Sequence, residues 1–294
     1  MCPICSSTNN KVLYHSRPRR GYSIVGCDLC GLQYIDPMLS SDEQQILYQA
    51  DYFHAWGLGA DINTGLDESY ALVADMKRRT FRRYLHTIRQ FCPGGGRLLE
   101  IGCAFGFFLE EASNFGYDVY GAELASDAAN KAAAILGHQR VRQGDFQSLD
   151  YEPGSFDLIV MLDVIEHFNQ PRDVLTKIYS LLAPGGYVFL VTPNTASFSR
   201  YVMGGRWMHY KLEHSVYFDK RSLRYLSDHI GFRRLEFRTA RKSLNGHYLQ
   251  HYASVYMTQY GGHLLPAMIG RLPLCIRRQS VALSLGEMFA ILQK

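Results

Sequence analysis

What this 294-residue sequence lacks narrows its class first. No stretch approaches the ~18 to 20 consecutive apolar residues that span a bilayer, and no amino-terminal segment joins a basic start, an apolar core and a cleavage site. A cytoplasmic globular protein is therefore expected. There is no internal repeat and no low-complexity tract. Seven cysteines, four of them in two close pairs and Cys92, Cys103 and Cys275 scattered, do not make a secreted disulfide framework. Acids are scarce in the last third: residues 195–294 hold 15 Lys and Arg against 5 Asp and Glu, whereas residues 39–194 hold 12 against 20. A basic field of that kind draws anionic partners such as phosphate-bearing substrates, nucleic acid or acidic lipid head groups, and a merely solvated basic face reads equally well.

What is present begins with two cysteine pairs, "CPIC" (Cys2, Cys5) and "CDLC" (Cys27, Cys30), separated by strand-like runs at Val12–His15 and Tyr22–Val25. The segment resembles a zinc ribbon. Four thiolates at this spacing suit tetrahedral Zn²⁺, and a redox dithiol pair is the alternative. So short a segment has little core of its own, and metal ligation would supply the missing stability. Bound zinc would also balance the basic "RPRR", which weakens a nucleic-acid role for the ribbon. The expected organisation is a ribbon over 1–38, a helical connector and lid over 39–96, and a main domain over 97–294. The connector holds an aromatic loop, "DYFHAWGLGADINTG", a charged helix, "ESYALVADMKRRTFRRYLHTIRQF", and the breaker "CPGGG". Leu72, Met76, Phe81, Leu85 and Ile88 approximate an apolar stripe, with Lys77, Arg78, Arg79, Arg82 and Arg83 expected on a solvated face.

From Arg97 strands and helices alternate. "RLLEIG", "YDVYGAE", "VRQGD", "FDLIVMLD" and "YVFLVTPN" read as strands; "FFLEEASNFG", "SDAANKAAAILG" with Ser126 as N-cap, and "PRDVLTKIYSLL" read as helices. Further on, "KRSLRYLSDHIG" reads as a helix, "FRRLEFRTA" as a strand, and "EMFAILQK" as a last strand. The expectation is an α/β fold with a doubly wound, seven-stranded, mainly parallel sheet.

In such a sheet the ligand sits at the carboxyl ends of the strands. There the chain supplies "LLEIGCAFGFF", with Glu100 before the small residues Gly102, Ala104 and Gly106; then Glu123, placed for two ribose hydroxyls; then Asp145 and Phe146, placed for an adenine amine and ring face. A nicotinamide fingerprint wants G-x-G-x-x-G/A facing a pyrophosphate. Here Phe107 takes the place of the third small residue, and an acid two positions before the first glycine suits a cation instead. S-adenosylmethionine, with an ammonium and a sulfonium but no phosphate, fits.

On these residues the chain resembles the class I S-adenosylmethionine-dependent methyltransferases over roughly residues 70–294. "LLEIGCAFG" is similar to the family's E/D-x-G-x-G-x-G loop, "VYGAE" to its ribose acid, "GDF" to its adenine contact, and "FDLIVMLDVIEH" and "LLAPGGYVFLVTPN" to its fourth and fifth strands. Ala104 departs from the central glycine, which matters only if the backbone there needs positive φ. The resemblance implies cofactor contacts at Glu100, Gly102, Cys103, Ala104, Gly106, Glu123, Leu124, Asp145, Phe146, Leu162 and Asp163.

It also implies in-line methyl transfer, for which the protein aligns the nucleophile and, for a hydroxyl, removes its proton. His214 is the first candidate for that base, with His167 of "DVIEH" the second; structural capping or pairing is the rival role for either. The segment "GRWMHYKLEHSVYF" is similar to the substrate-pocket wall of small-molecule methyltransferases and places Trp207, His209, Glu213 and Tyr217 there. "LDVIEH" is similar to a loop of ubiquinone-pathway O-methyltransferases in which the positions of Asp163, Glu166 and His167 can hold Mg²⁺ or Mn²⁺. The expected acceptor is an anionic small molecule, such as the hydroxyl of a lipid- or nucleotide-linked saccharide or a secondary metabolite. "GGHLLPAMIGRLPLCIRR" is a mixed apolar and basic lid for a membrane or lipid-linked substrate, or a helical cover. Two alternatives stay open: an RNA-modifying methyltransferase, which lacks support from any Asn-Pro-Pro-Tyr or Pro-Cys motif, and a non-catalytic cofactor-binding protein.

Overall fold

Strands buried on both faces read as near-continuous apolar runs, the pattern of Leu98–Ile101, Leu158–Met161 and Val188–Val191. In the computed structural model, which describes residues 1–15, 21–40, 43–44, 68–246, 248–250, 267–268, 270–271, 273 and 279–294, these runs form the centre of a seven-stranded sheet. Chain order is β1 (Asn10–His15), β2 (Ser23–Cys27), β3 (Gln33–Asp36), α1 (Glu68–Ile88), β4 (Gly96–Ile101), α2 (Phe107–Asn114), β5 (Tyr117–Glu123), α3 (Ser126–Leu136), β6 (Val141–Gln143), β7 (Phe156–Leu162), α4 (Pro171–Leu181), β8 (Leu182–Pro193), α5 (Phe198–Met203), β9 (Val216–Tyr217), α6 (Lys220–Ile230), β10 (Arg234–Thr239), β11 (Lys242–Asn245), β12 (Ser280–Leu283) and β13 (Glu287–Gln293).

The large sheet has the order β10-β13-β8-β7-β4-β5-β6. It is parallel apart from β13, which runs antiparallel to β8 and β10. The chain winds outward from β4 through β5 to β6, then returns to the other side of β4 as β7, so the topological switch lies between β4 and β7. Alternating side chains feed two cores. Leu99, Ile101, Ile159 and Met161 pack on one face, and Leu98, Leu158, Val160 and Phe189 on the other.

The amino-terminal segment is more deeply joined to this body than its expected boundary at residue 38 implies. A third strand, β3, unanticipated from the sequence, pairs with β9 (Gln33 with Tyr217, Tyr34 with Val216), making a four-stranded sheet β1-β2-β3-β9. Cys2, Cys27, Leu32 and Tyr34 share one apolar cluster with Leu175, Val216 and Leu223. A segment this small buries too little surface alone and completes its core against the body.

Three local expectations also shift. Helix α3 is capped by Ala125, not Ser126, which is its first helical residue; the Ala125 N–H is taken by the Glu123 carboxylate at 2.9 Å. On α1, Arg78 and Arg82 are not solvated spectators: Arg82 Nε and Nη2 grip Glu111 of α2 at 2.7 and 2.9 Å, and Arg78 Nη2 reaches Glu110 at 2.5 Å. Burial pushes the Glu111 carboxyl up, yet the two guanidiniums hold it below the usual carboxylate range. Trp207 and Tyr217, expected on a pocket wall, are 1% and 0% exposed and pack with Tyr22, Ile24 and Ile35, cementing the amino-terminal strands to the body. The loop at 51–65, the "RPRR" stretch at 17–20 and most of the 261–278 stretch lie outside the described residues. No helix among the described residues is long and apolar enough to cross a membrane.

Candidate active site

At the end of β4 the chain turns sharply beneath Val164. A Cβ on Gly102 would sit 2.6 Å from Val164 Cγ2, and φ is +71°, so only glycine fits without displacement. Ala104 follows at φ +46°, a left-handed conformation for an L residue. It is held there in part because its N–H donates to Glu123 Oε2 at 2.8 Å. With Oε1 accepting from Ala125, one carboxylate at the end of β5 braces the loops after both β4 and β5. Burial pushes the Glu123 carboxyl up, and these backbone donors pull it back.

Glu100 has a different environment. It is 3% exposed, and its Oε2 meets no hydrogen-bond partner among the described residues. Burial, then the charge of Glu123, raises its carboxyl well above the ordinary range. A buried carboxylate without a donor is expensive, and a ligand ammonium would satisfy it.

Glu100 opens onto a cleft. One wall is Gly102–Phe105 with Leu162 and Asp163; the other is Lys77, Thr80 and Tyr84 of α1 with Lys242–Leu244 of β11. Lys77 thus faces the cleft, contrary to its expected place on a solvated face. Its periodicity carries the signal, since it lies four residues after Val73 and four before Phe81, both packed inward. Asp163, at φ +59°, accepts from Lys242 Nζ at 2.7 Å, and Glu287 Oε1 lies 3.0 Å from the same ammonium. Against a burial that disfavours charge, these two carboxylates hold the Lys242 ammonium well above the usual lysine range. Lys242 and Glu287 are site residues that sequence reasoning missed.

The remaining candidates separate. Glu100, Gly102, Cys103, Ala104, Leu162 and Asp163 converge on the cleft. Gly106, at φ +78°, caps α2 behind it. Leu124 is 40% exposed beyond β5. Asp145 is exposed and accepts from the Gln147 N–H; Phe146 is buried with the Lys177 ammonium 4.9 Å from its ring. His209 Nε2 lies 3.9 Å from Glu287 Oε1, and burial lowers its pKa to about 3. Glu213 lies 3.6 Å from Lys211.

His214 and His167 do not line the described cleft. Burial drives His167 down to about 4 and His214 well below its ordinary value. A base must reach the proton it takes and be able to hold it near neutral pH, so the position of both histidines argues against that role. Nor does the expected oxygen-rich metal set form: Asp163 is committed to Lys242, while Glu166 stands with His167 and His214. In the amino-terminal segment, Cys2 Sγ is 3.5 Å from Cys30 Sγ and Cys5 Sγ 3.4 Å from Cys27 Sγ, one converging four-sulfur group.

Known proteins bear on this geometry. A ubiquinone biosynthesis O-methyltransferase from Albidiferax ferrireducens is 29% identical over 133 residues, covering 42% of this chain and 53% of the relative. Its counterpart in Xanthomonas euvesicatoria is 31% identical over 122 residues, covering 39% and 51%. The chain thus spans about half the length of the curated relatives it matches. Among solved structures, a SAM-dependent methyltransferase from Archaeoglobus fulgidus superposes with a TM-score of 0.51 at 17% identity, covering 75% of this chain and 94% of that one. Haemonchus contortus phosphoethanolamine N-methyltransferase 2, in complex with S-adenosyl-L-methionine, gives 0.52 at 17% identity, covering 89% and 61%; both likenesses concern the fold. The methyltransferase-domain family model matches residues 74–236, the span that carries the strand-end acids and the glycine turn. This chain belongs to that family, within the class I S-adenosylmethionine-dependent methyltransferases.

Proposed function

We propose that the chain transfers a methyl group from S-adenosylmethionine to an oxygen of a small, anionic acceptor. The observation that carries this reading is the buried Glu100 Oε2 at the cleft, unpartnered among the described residues, an acceptor for the donor's ammonium. Glu123 retains lone pairs for ribose hydroxyls while braced by two amides. When bound, the cofactor supplies a methyl on a positively charged sulfur. The chain's own task is then to align the acceptor and exclude water, and no enzyme nucleophile is needed. Lys77 at the cleft and the basic last third of the chain support an acidic acceptor such as a nucleotide- or lipid-linked saccharide, while the Lys242 charge is balanced by Asp163 and Glu287. A cytoplasmic setting is part of the same reading. The four-cysteine group fits structural Zn²⁺, its ligand type and convergence being those of a closed tetrahedral site.

Calorimetry tests the donor half: Glu123→Ala should weaken S-adenosylmethionine binding about tenfold or more, the scale of a lost charge-assisted hydrogen bond. Unchanged affinity would remove Glu123 from the site. Labelled-methyl transfer against saccharide, lipid and RNA fractions tests the acceptor half. Label confined to RNA would overturn the small-molecule reading, and label in no fraction would favour a cofactor-binding role.

A further inference from the structure

Tyr84 of α1 lines the cleft, and its buried hydroxyl has no hydrogen-bond partner among the described residues. The residue is 4% exposed, and its ring packs against Phe289 of β13 at a centroid distance of 5.4 Å. Packing accounts for the ring but not for the oxygen, since phenylalanine would fill the same space without stranding a polar atom. The helix that carries it is pinned beside the cleft. One turn before Tyr84, Thr80 Oγ1 donates to the Met76 carbonyl at 3.1 Å and accepts from the Ser243 N–H at 2.8 Å. That second bond fastens α1 to β11 next to Lys242, so the hydroxyl is held in place before any ligand arrives.

The charged groups around that hydroxyl are Lys242 of β11, Asp163 after β7, Glu287 of β13 and, on its own helix, Arg83, which is exposed to solvent. The Lys242 ammonium is already held between Asp163 Oδ2 at 2.7 Å and Glu287 Oε1 at 3.0 Å. Two carboxylates against one buried ammonium leave no surplus positive charge for a further anion. A carboxylate or phosphate of the acceptor is therefore disfavoured at this end of the cleft, because like charges brought together cost free energy. An uncharged hydroxyl is not. It can donate to the Asp163 carboxylate, which only accepts, while its oxygen takes the Tyr84 hydrogen. Lys77 lies seven residues earlier on α1, roughly 10 Å along the helix axis, and lines the same cleft, where it suits the acidic part of the acceptor.

We infer that Tyr84 binds the methyl-receiving oxygen of the acceptor, and that this oxygen is an uncharged hydroxyl seated at the Asp163–Lys242–Glu287 end of the cleft. The inference rests on the proposed methyl transfer and adds to it the residue that holds the reacting atom. Tyr84 acts as a hydrogen-bond donor and keeps its own proton. With its hydrogen turned to Asp163 and one lone pair occupied by Tyr84, the acceptor oxygen has its remaining lone pair fixed in direction, which is the alignment an in-line transfer needs.

The test uses the full chain, S-adenosylmethionine labelled in its methyl group, and the saccharide or lipid fraction that takes label from the unsubstituted protein. Tyr84→Phe should slow transfer about tenfold or more while S-adenosylmethionine affinity stays unchanged in calorimetry. The ligand-free variant should be at least as stable as the parent, because a stranded buried hydroxyl has been removed. Unchanged transfer overturns the inference. So does a matching loss of S-adenosylmethionine affinity, which gives Tyr84 to the donor, or a loss of transfer that merely tracks a loss of stability. The labelled methyl should survive mild alkali and be released by boiling hydriodic acid, as an ether's is; release by mild alkali marks an ester formed on an acid and overturns the hydroxyl assignment. Should Tyr84→Phe fail to fold, Tyr84→3,5-difluorotyrosine keeps the ring and acidifies the phenol. Only the protonated phenol donates, so the alkaline limit of transfer should move to lower pH, and an unmoved limit overturns the inference. Label in RNA alone or in no fraction from the unsubstituted protein fails the methyl-transfer reading itself, a result distinct from transfer that Tyr84→Phe leaves intact, and the inference falls with it.

Discussion

The two walls of the cleft are built by different means. On the strand-end wall, function rests on backbone: Gly102 turns under Val164, Ala104 sits left-handed, and Glu123 gathers the N–H groups of Ala104 and Ala125. On the facing wall, function rests on side-chain charge gathered from afar. Lys77 comes from α1, Lys242 from β11, and the carboxylates that hold Lys242 from the end of β7 and the start of β13. A backbone-built wall tolerates change in proportion to local φ and ψ. A charge-built wall is only as good as its balance, so removing one member exposes the others.

The largest effect should therefore come from the charge-built wall. Lys242→Met leaves Glu287, 2% exposed at its side chain, and Asp163 without their shared cation. Breaking a buried pair by removing one partner costs about 3 to 5 kcal/mol, which chemical denaturation would read. Partial exposure of Asp163 places the expectation near the lower end. Adding Glu287→Gln to Lys242→Met should recover much of the loss, since the uncompensated charge goes with it. If Lys242→Met is neutral, the wall is not held by charge balance and the contrast fails.

The same contrast decides what was legible beforehand. Glu100, the glycine turn and Glu123 are written in contiguous sequence, because a strand followed by positive-φ residues and an acid is a local pattern. The parallel sheet was legible for the same reason: apolar runs and intervening helices repeat along the chain. Lys242 and Glu287 were not, since each becomes a site residue only through partners brought from other strands. Lys77 was misread by residue type although its helical position pointed inward. Trp207 and Tyr217 were misplaced because pairing of β3 with β9, which turns an apparent pocket wall into a core, is a tertiary event. Ser126 lost its capping role to Ala125 through the reach of Glu123, again a contact between elements.

Next in size is Glu100→Gln, which probes the strand-end wall at its buried carboxyl, whose Oε2 has no partner among the described residues. A lost hydrogen bond to a charged group is worth about 1.5 to 3 kcal/mol, roughly tenfold to a hundredfold in S-adenosylmethionine affinity. The sign with pH is fixed by the raised carboxyl. Without ligand, burial keeps Glu100 protonated above the ordinary carboxylate range; a ligand ammonium favours the carboxylate. Binding should release a proton, and affinity should rise with pH through the raised range and then level off. Calorimetry in buffers of different ionisation enthalpy would measure that proton, and Glu100→Gln should abolish it. Because a raised folded pKa contributes stability at low pH that is lost as pH rises, the same variant should be the more stable protein toward alkaline pH when ligand is absent. Proton uptake instead of release would assign the ammonium elsewhere.

The smallest effect should come from relieving the backbone itself. Ala104 holds a left-handed φ of +46°, where an L side chain is strained by roughly 1 to 2 kcal/mol. Ala104→Gly removes that strain but loosens the unfolded chain, an opposing term of about 0.4 to 1 kcal/mol. The difference is a gain on the order of 0.5 kcal/mol, readable as a small rise in thermal midpoint. The Ala104 N–H that donates to Glu123 belongs to the backbone, so the bond survives the substitution and cofactor affinity should change little. A drop in stability would mean that the methyl group of Ala104 contributes packing that outweighs its strain. The strand-end wall would then depend on side chains as much as its neighbour does.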